Sequence, residues 1–82
     1  MEFEKGQEVL IANNTPVYST YDSKIKCDNI KGTYWIYSAT IKNNRIRVTD
    51  SYERAFEPCS MTGWIDINNI IHENKEEKVE EE

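Results

Sequence analysis

Eighty-two residues make one small domain, which buries a modest core and leaves little room for a deep enclosed site, so a surface groove is the site type to expect. The formal net charge of −5 is unevenly held: residues 73–82 carry six Glu and two Lys, a net of −4, whereas residues 1–72 carry nine acidic and eight basic side chains, a net of −1. A nearly neutral body with only Arg45 and Arg47 as a weak basic pair argues against nucleic acid as a partner.

Met1-Glu2-Phe3-Glu4-Lys5 leads into no long apolar segment, so no signal peptide is read. No run approaches the roughly 18 apolar residues of a membrane span. The chain is therefore expected to be made in the cytoplasm. To act outside the cell it would need release by lysis or another non-Sec route.

In chain order, Gly6 reads as a turn and residues 8–12 as a first strand. Asn13-Asn14-Thr15-Pro16 is a turn cluster in which Pro16 removes a ladder donor. Val17-Tyr18-Ser19 reads as a short edge strand. Residues 20–31 are polar, anchored only by Ile25 and Ile30, and read as a long loop, the kind of segment that is functional or flexible inside a compact domain.

Residues 32–50 read as a long hairpin about Asn43-Asn44, since Asn accepts the φ > 0 of a type I′ turn. That turn pairs Lys42 with Arg45, Ile41 with Ile46 and Ala39 with Val48. Alternation then puts Trp35, Tyr37, Ala39, Ile41, Ile46 and Val48 on one apolar face. Lys42, Thr40, Ser38, Arg45, Arg47 and Thr49 fall on the other, together with Tyr34 and Ile36.

A second long connection, residues 51–61, could hold one helical turn at Glu53-Arg54-Ala55-Phe56. Thr62-Gly63-Trp64-Ile65 reads as a closing strand. Asp66 can cap a 3₁₀ turn that folds Ile67, Ile70 and Ile71 back onto the core. Residues 73–82 read as a solvated, disordered acidic tail. The expectation is an all-β chain, a small, partly open β-barrel over residues 1–72 with a long central hairpin, followed by the tail.

Specific motifs support that architecture. Gly32-Thr33-Tyr34-Trp35-Ile36-Tyr37-Ser38, Asn43-Asn44-Arg45-Ile46-Arg47-Val48-Thr49 and Thr62-Gly63-Trp64-Ile65 follow Gly6-Gln7-Glu8-Val9 and Thr15-Pro16-Val17-Tyr18-Ser19. In this order they resemble the bacterial SH3-like cell-wall-binding domains, in particular the C-terminal targeting domains of phage endolysins and N-acetylmuramoyl-L-alanine amidases. There a GTYYI(W/Y)S run, an NGRIRIT run and a TGWI run recur behind a Gly-x-x-Val strand and a TPxYxS segment. The similarity covers roughly residues 5–71. Here Asn43-Asn44 replaces the usual Asn-Gly, Cys27 and Cys59 lie outside the pattern, and no catalytic domain is read ahead of the module. The resemblance implies a non-catalytic module that binds peptidoglycan stem peptide or cross-bridge, with multivalency supplied by self-association or a partner lysin. The rival is an intracellular protein-interaction module using the same barrel and an acidic tail.

Catalysis is poorly supported by the residues themselves. His72, the single histidine, has no nucleophile near it in sequence. One His and two dispersed Cys are too few for zinc, and no cofactor is expected. Cys27 and Cys59 are either one disulfide or two free, half-buried thiols. The aromatics carry more. Tyr18, Tyr21 and Tyr52 sit on the long connections, where a flat ring with a polar tip suits peptide or sugar surfaces. Tyr34 joins them as a candidate from the polar hairpin face, while Trp35 and Tyr37 are read as core. Trp64 either lines the groove or seals the barrel. Arg47, with Arg45, either lies on a solvated strand surface or pairs with carboxylates of a peptide ligand.

Overall fold

The computed structural model of the chain describes residues 3–74. Five strands, β1 (Glu8–Val17), β2 (Asp28–Lys42), β3 (Arg45–Thr49), β4 (Gly63–Asp66) and β5 (Ile70–Asn74), form one antiparallel sheet ordered β4-β3-β2-β1-β5. The sheet curls so that Tyr18, just past β1, meets Trp64 of β4, and the two exchange backbone hydrogen bonds of 2.8 Å each. The result is a small, partly open all-β barrel. Gly63 permits the close approach: a Cβ there would collide with Val17 Cγ2 and stand 2.9 Å from the Tyr18 carbonyl oxygen.

The turn of the hairpin is as the sequence predicts. Asn43 (φ 52°) and Asn44 (φ 63°) supply the two left-handed residues, and Lys42 pairs with Arg45. Beyond that pair the register departs from expectation. The next partners are Ser38 with Arg47 and then Ile36 with Val48. β2 advances four residues while β3 advances two, then two while β3 advances one, so β2 carries three extra residues. An odd surplus exchanges the two faces of a strand.

Hence Ile36, not Trp35 or Tyr37, faces the core beside Val48. Trp35 and Tyr37 are half-buried on the outer side, and Ala39 and Ile41 are exposed. The expected apolar face is corrected accordingly. The outward turn also leaves the Tyr37 hydroxyl free to donate to the Glu57 carbonyl at 2.8 Å.

A second irregularity merges two expected strands. Between Ile11 and Thr15, β1 advances four residues while β2 advances two. Asn14 (φ 59°) and a hydrogen bond from Thr15 Oγ1 to the Ala12 carbonyl (2.6 Å) shape this bulge. The Asn-rich cluster therefore bends one continuous strand instead of ending it. β2 begins at Asp28, so the loop expected over residues 20–31 is shorter than read.

The core is built from Phe3, Val9, Ile11, Val17, Ile36, Ile46, Val48 and Ile65, with Ile30, Tyr34, Ile67 and Ile70 packed against it. Each fully buried Ile or Val contributes about 1.5–3 kcal/mol. The expected turn at Glu53–Phe56 is a 3₁₀ helix seated on buried Ala55. Asp66 caps the second 3₁₀ helix, Ile67–Asn69, by accepting from Asn68 N at 2.8 Å.

Ile71 departs from expectation: it is 62% exposed, because residues 70–74 do not fold back as a turn but run antiparallel along β1. Strand β5 runs to Asn74. The rest of the expected disordered tail, residues 75–82, lies outside the described residues. Cys27 and Cys59 are free thiols, and both are exposed, not half-buried. Among the described residues, no helix is long and apolar enough to cross a membrane.

Candidate binding surface

On β3, Ile46 and Val48 point into the core, so Arg45 and Arg47 point outward. Their neighbours follow from strand pairing. Arg47 is flanked by Ser38 on β2 and Trp64 on β4, and Tyr18 adjoins Trp64. Arg45 is flanked by Lys42 and Asp66. These rows bring to one outer face residues far apart in the chain, Tyr18 and Trp64 among them, 46 positions from each other.

Each cation on this face lies over a ring. The Arg45 guanidinium carbon is 3.7 Å from the Tyr18 ring centroid, that of Arg47 is 4.8 Å from Trp64, and Lys42 Nζ is 5.1 Å from Tyr21. Tyr21 meets Trp64 edge-on with centroids 5.7 Å apart.

The loop between β1 and β2 is stapled over this face. Arg45 Nη1 donates to the carbonyls of Thr20 (3.2 Å) and Ser23 (2.9 Å), and Asn43 Nδ2 donates to the Tyr21 carbonyl (3.0 Å). Trp64 is only 7% exposed and lies outside the central core cluster. It is buried from the outside, beneath Tyr21 and Arg47. Tyr18 is half-buried and Tyr21 is 40% exposed, so the accessible part of the face is Tyr21 with the cations around it.

The fold thus gathers Tyr18, Tyr21, Trp64 and Arg47 and separates Tyr52 and Tyr34 from them. Tyr52 (54% exposed) packs edge-on against Phe56 (53% exposed), centroids 5.1 Å apart, above the Gly6 turn. Lys5 Nζ reaches the Tyr37 carbonyl at 2.8 Å and lies 5.5 Å from the Phe56 centroid. Tyr34 is half-buried against the core. Its burial, with lesser contributions from the negative charges of Asp50 and Asp28, raises the phenol above its ordinary pKa of 10.0.

Lys42 is a cation of this face that the sequence reading did not single out, though the signal for it is legible: it stands opposite Arg45 across a two-residue Asn-Asn turn. Lys5, Tyr37 and Phe56 had no such signal, because their meeting depends on how the connection 50–62 folds over the N-terminal turn. No family model, curated protein or solved structure matches the chain.

Proposed function

We propose that this chain is a non-catalytic, SH3-like binding module that recognises the stem peptide or cross-bridge of bacterial peptidoglycan through the aromatic face formed by Tyr18, Tyr21 and Trp64 with Lys42, Arg45 and Arg47. The observation that carries this reading is the convergence of those rings on one outer face, each under a cation. The ordered series of motifs from Gly6 to Ile65 supplies the wall as the target. A short peptide covers little area, so one module binds modestly and gains on a polymer through multivalency, by self-association or beside a partner lysin.

Co-sedimentation of the full chain with purified Gram-positive cell walls tests the reading. Retention that falls on Tyr21→Ala supports it, and no retention by walls of any type overturns it. The charge of residues 73–82 favours one rival, an interaction module for an intracellular protein steered by its acidic end. Removing residues 75–82, which spares β5, separates the two. Wall retention survives that deletion, whereas tail-steered partner binding weakens and loses its salt dependence.

A further inference from the structure

The β2–β3 turn breaks a local rule of sheet construction. Lys42 and Arg45 are direct cross-strand partners, and Arg47 follows on the same face of β3. Like charges placed opposite each other destabilise a strand pair. The next strand does not relieve them. Asp66 is Arg45's partner on β4, yet its Oδ1 accepts from Asn44 Nδ2 (3.0 Å) and Asn68 N (2.8 Å). Among the described residues the ion pair formed is Arg54 with Asp50 at 3.7 Å, and none of the three cations joins one.

Neutral groups hold them instead. Arg45 donates to two carbonyls, Arg47 Nη2 donates to Ser38 Oγ at 3.0 Å, and ring faces lie beneath both. Arg47 Nε is buried with no hydrogen-bond partner. Guanidinium groups fixed by carbonyls, a hydroxyl and rings keep their whole charge. The face therefore presents three positive charges that no ion pair engages, two of them pre-positioned, and departures of this kind from local consistency are expected at functional or strained sites.

We propose that Lys42, Arg45 and Arg47 form an anion subsite that takes a carboxylate of an extended peptide, with the Tyr21 ring as its apolar wall. This rests on the peptide-binding reading above and names the group recognised. A carboxylate fits better than a phosphodiester chain. A polyphosphate ligand needs a long basic track, whereas Asp22 and Asp66 flank this patch and the body as a whole is nearly neutral.

The test is an NMR titration of the full chain with a synthetic stem-type tetrapeptide bearing free carboxylates and with its fully amidated form. Poly(glycerol phosphate) is the third ligand. The free-acid peptide should bind about tenfold tighter than the amide, the range of one charge-assisted contact. Lys42→Gln, at an exposed position, should cut acid binding about threefold and so narrow the preference for the acid over the amide. Arg45→Lys should retain part of the acid preference, since it keeps the charge and loses the fork.

Equal binding of acid and amide overturns the proposal and leaves the wall reading standing. Tighter binding of the phosphate polymer, or no binding of either peptide, also overturns it. The parallel wall sedimentation then decides the wall reading by itself.

Discussion

The molecule carries two aromatic clusters made of similar parts and built to different ends. Around β3 and β4, Tyr18, Tyr21 and Trp64 are interleaved with Lys42, Arg45 and Arg47. Around the Gly6 turn, Lys5 lies over the Tyr37 and Phe56 rings, and Tyr52 packs edge-on against Phe56. The first is anchored by strand pairing and by guanidinium bonds to loop carbonyls, and it buries its largest ring. The second rests on a single 3₁₀ turn with two rings more than half exposed. The same side-chain chemistry thus yields a fixed surface where the sheet positions it and a loose cover where a connection does.

Side-chain truncation should show this difference most strongly. Trp64→Ala should cost about 3–5 kcal/mol, close to the whole stability of so small a domain. Phe56→Ala, from a half-exposed ring, should cost about 1 kcal/mol. Urea unfolding followed by circular dichroism measures both, and equal losses would erase the distinction.

A glycine lies beside each cluster and gives the next comparison. An added Cβ at Gly63 meets Val17 and the Tyr18 carbonyl, where backbone must move, so Gly63→Ala should cost at least about 2–3 kcal/mol. At Gly6 the same Cβ meets Phe56 Cζ at 2.8 Å and Tyr52 Cε1 at 3.2 Å, ring edges that can swing away. The φ of +85° then dominates, and Gly6→Ala should cost about 1–2 kcal/mol. The reverse order in thermal unfolding would show the second cluster to be the more rigid.

Arg45→Met keeps much of the stacking bulk and removes the staple to Thr20 and Ser23. Amide exchange in residues 19–27 should then speed up by about tenfold, the equivalent of one hydrogen bond of ordinary net strength. Unchanged exchange would assign the order of this loop to Tyr21 and Asn43 alone.

The smallest effect concerns Tyr34, which belongs to neither cluster. Its pKa is raised in the fold, so its stabilising contribution is complete below pH 10.0 and is lost as pH rises through the higher folded value. Stability of the parent chain should therefore decline more steeply above pH 10 than that of Tyr34→Phe. Parallel profiles in that window would contradict the burial assigned to the phenol.

Much of the fold was legible, and the reasons are local. Asn43-Asn44 could only be a turn, Asp66 was placed to cap, and Glu53-Arg54-Ala55-Phe56 made its single turn. The faces of β2 were not legible, because three bulged residues depend on what packs beyond the turn: Tyr37 reaching Glu57, and Ile36 filling the core. β5 was missed since residues 70–74 have no strand pattern of their own and gain it from the free edge of β1. Of the candidate surface, the residue types were legible in Tyr18, Tyr21, Trp64 and Arg47, and Lys42 was there to be read. Their assembly, and the exclusion of Tyr52 and Tyr34, required the curl that joins Tyr18 to Trp64.

The sequence by itself determined the all-β character, the principal turn, the Asp66 cap and the split of charge between body and C-terminus, because each depends on residues a few positions apart. Only the tertiary structure decided which face of the long hairpin is core and which rings share a surface. Side-chain direction along a strand has a period of two, so one bulge reverses it. Whether a bulge forms is settled by packing across the whole barrel.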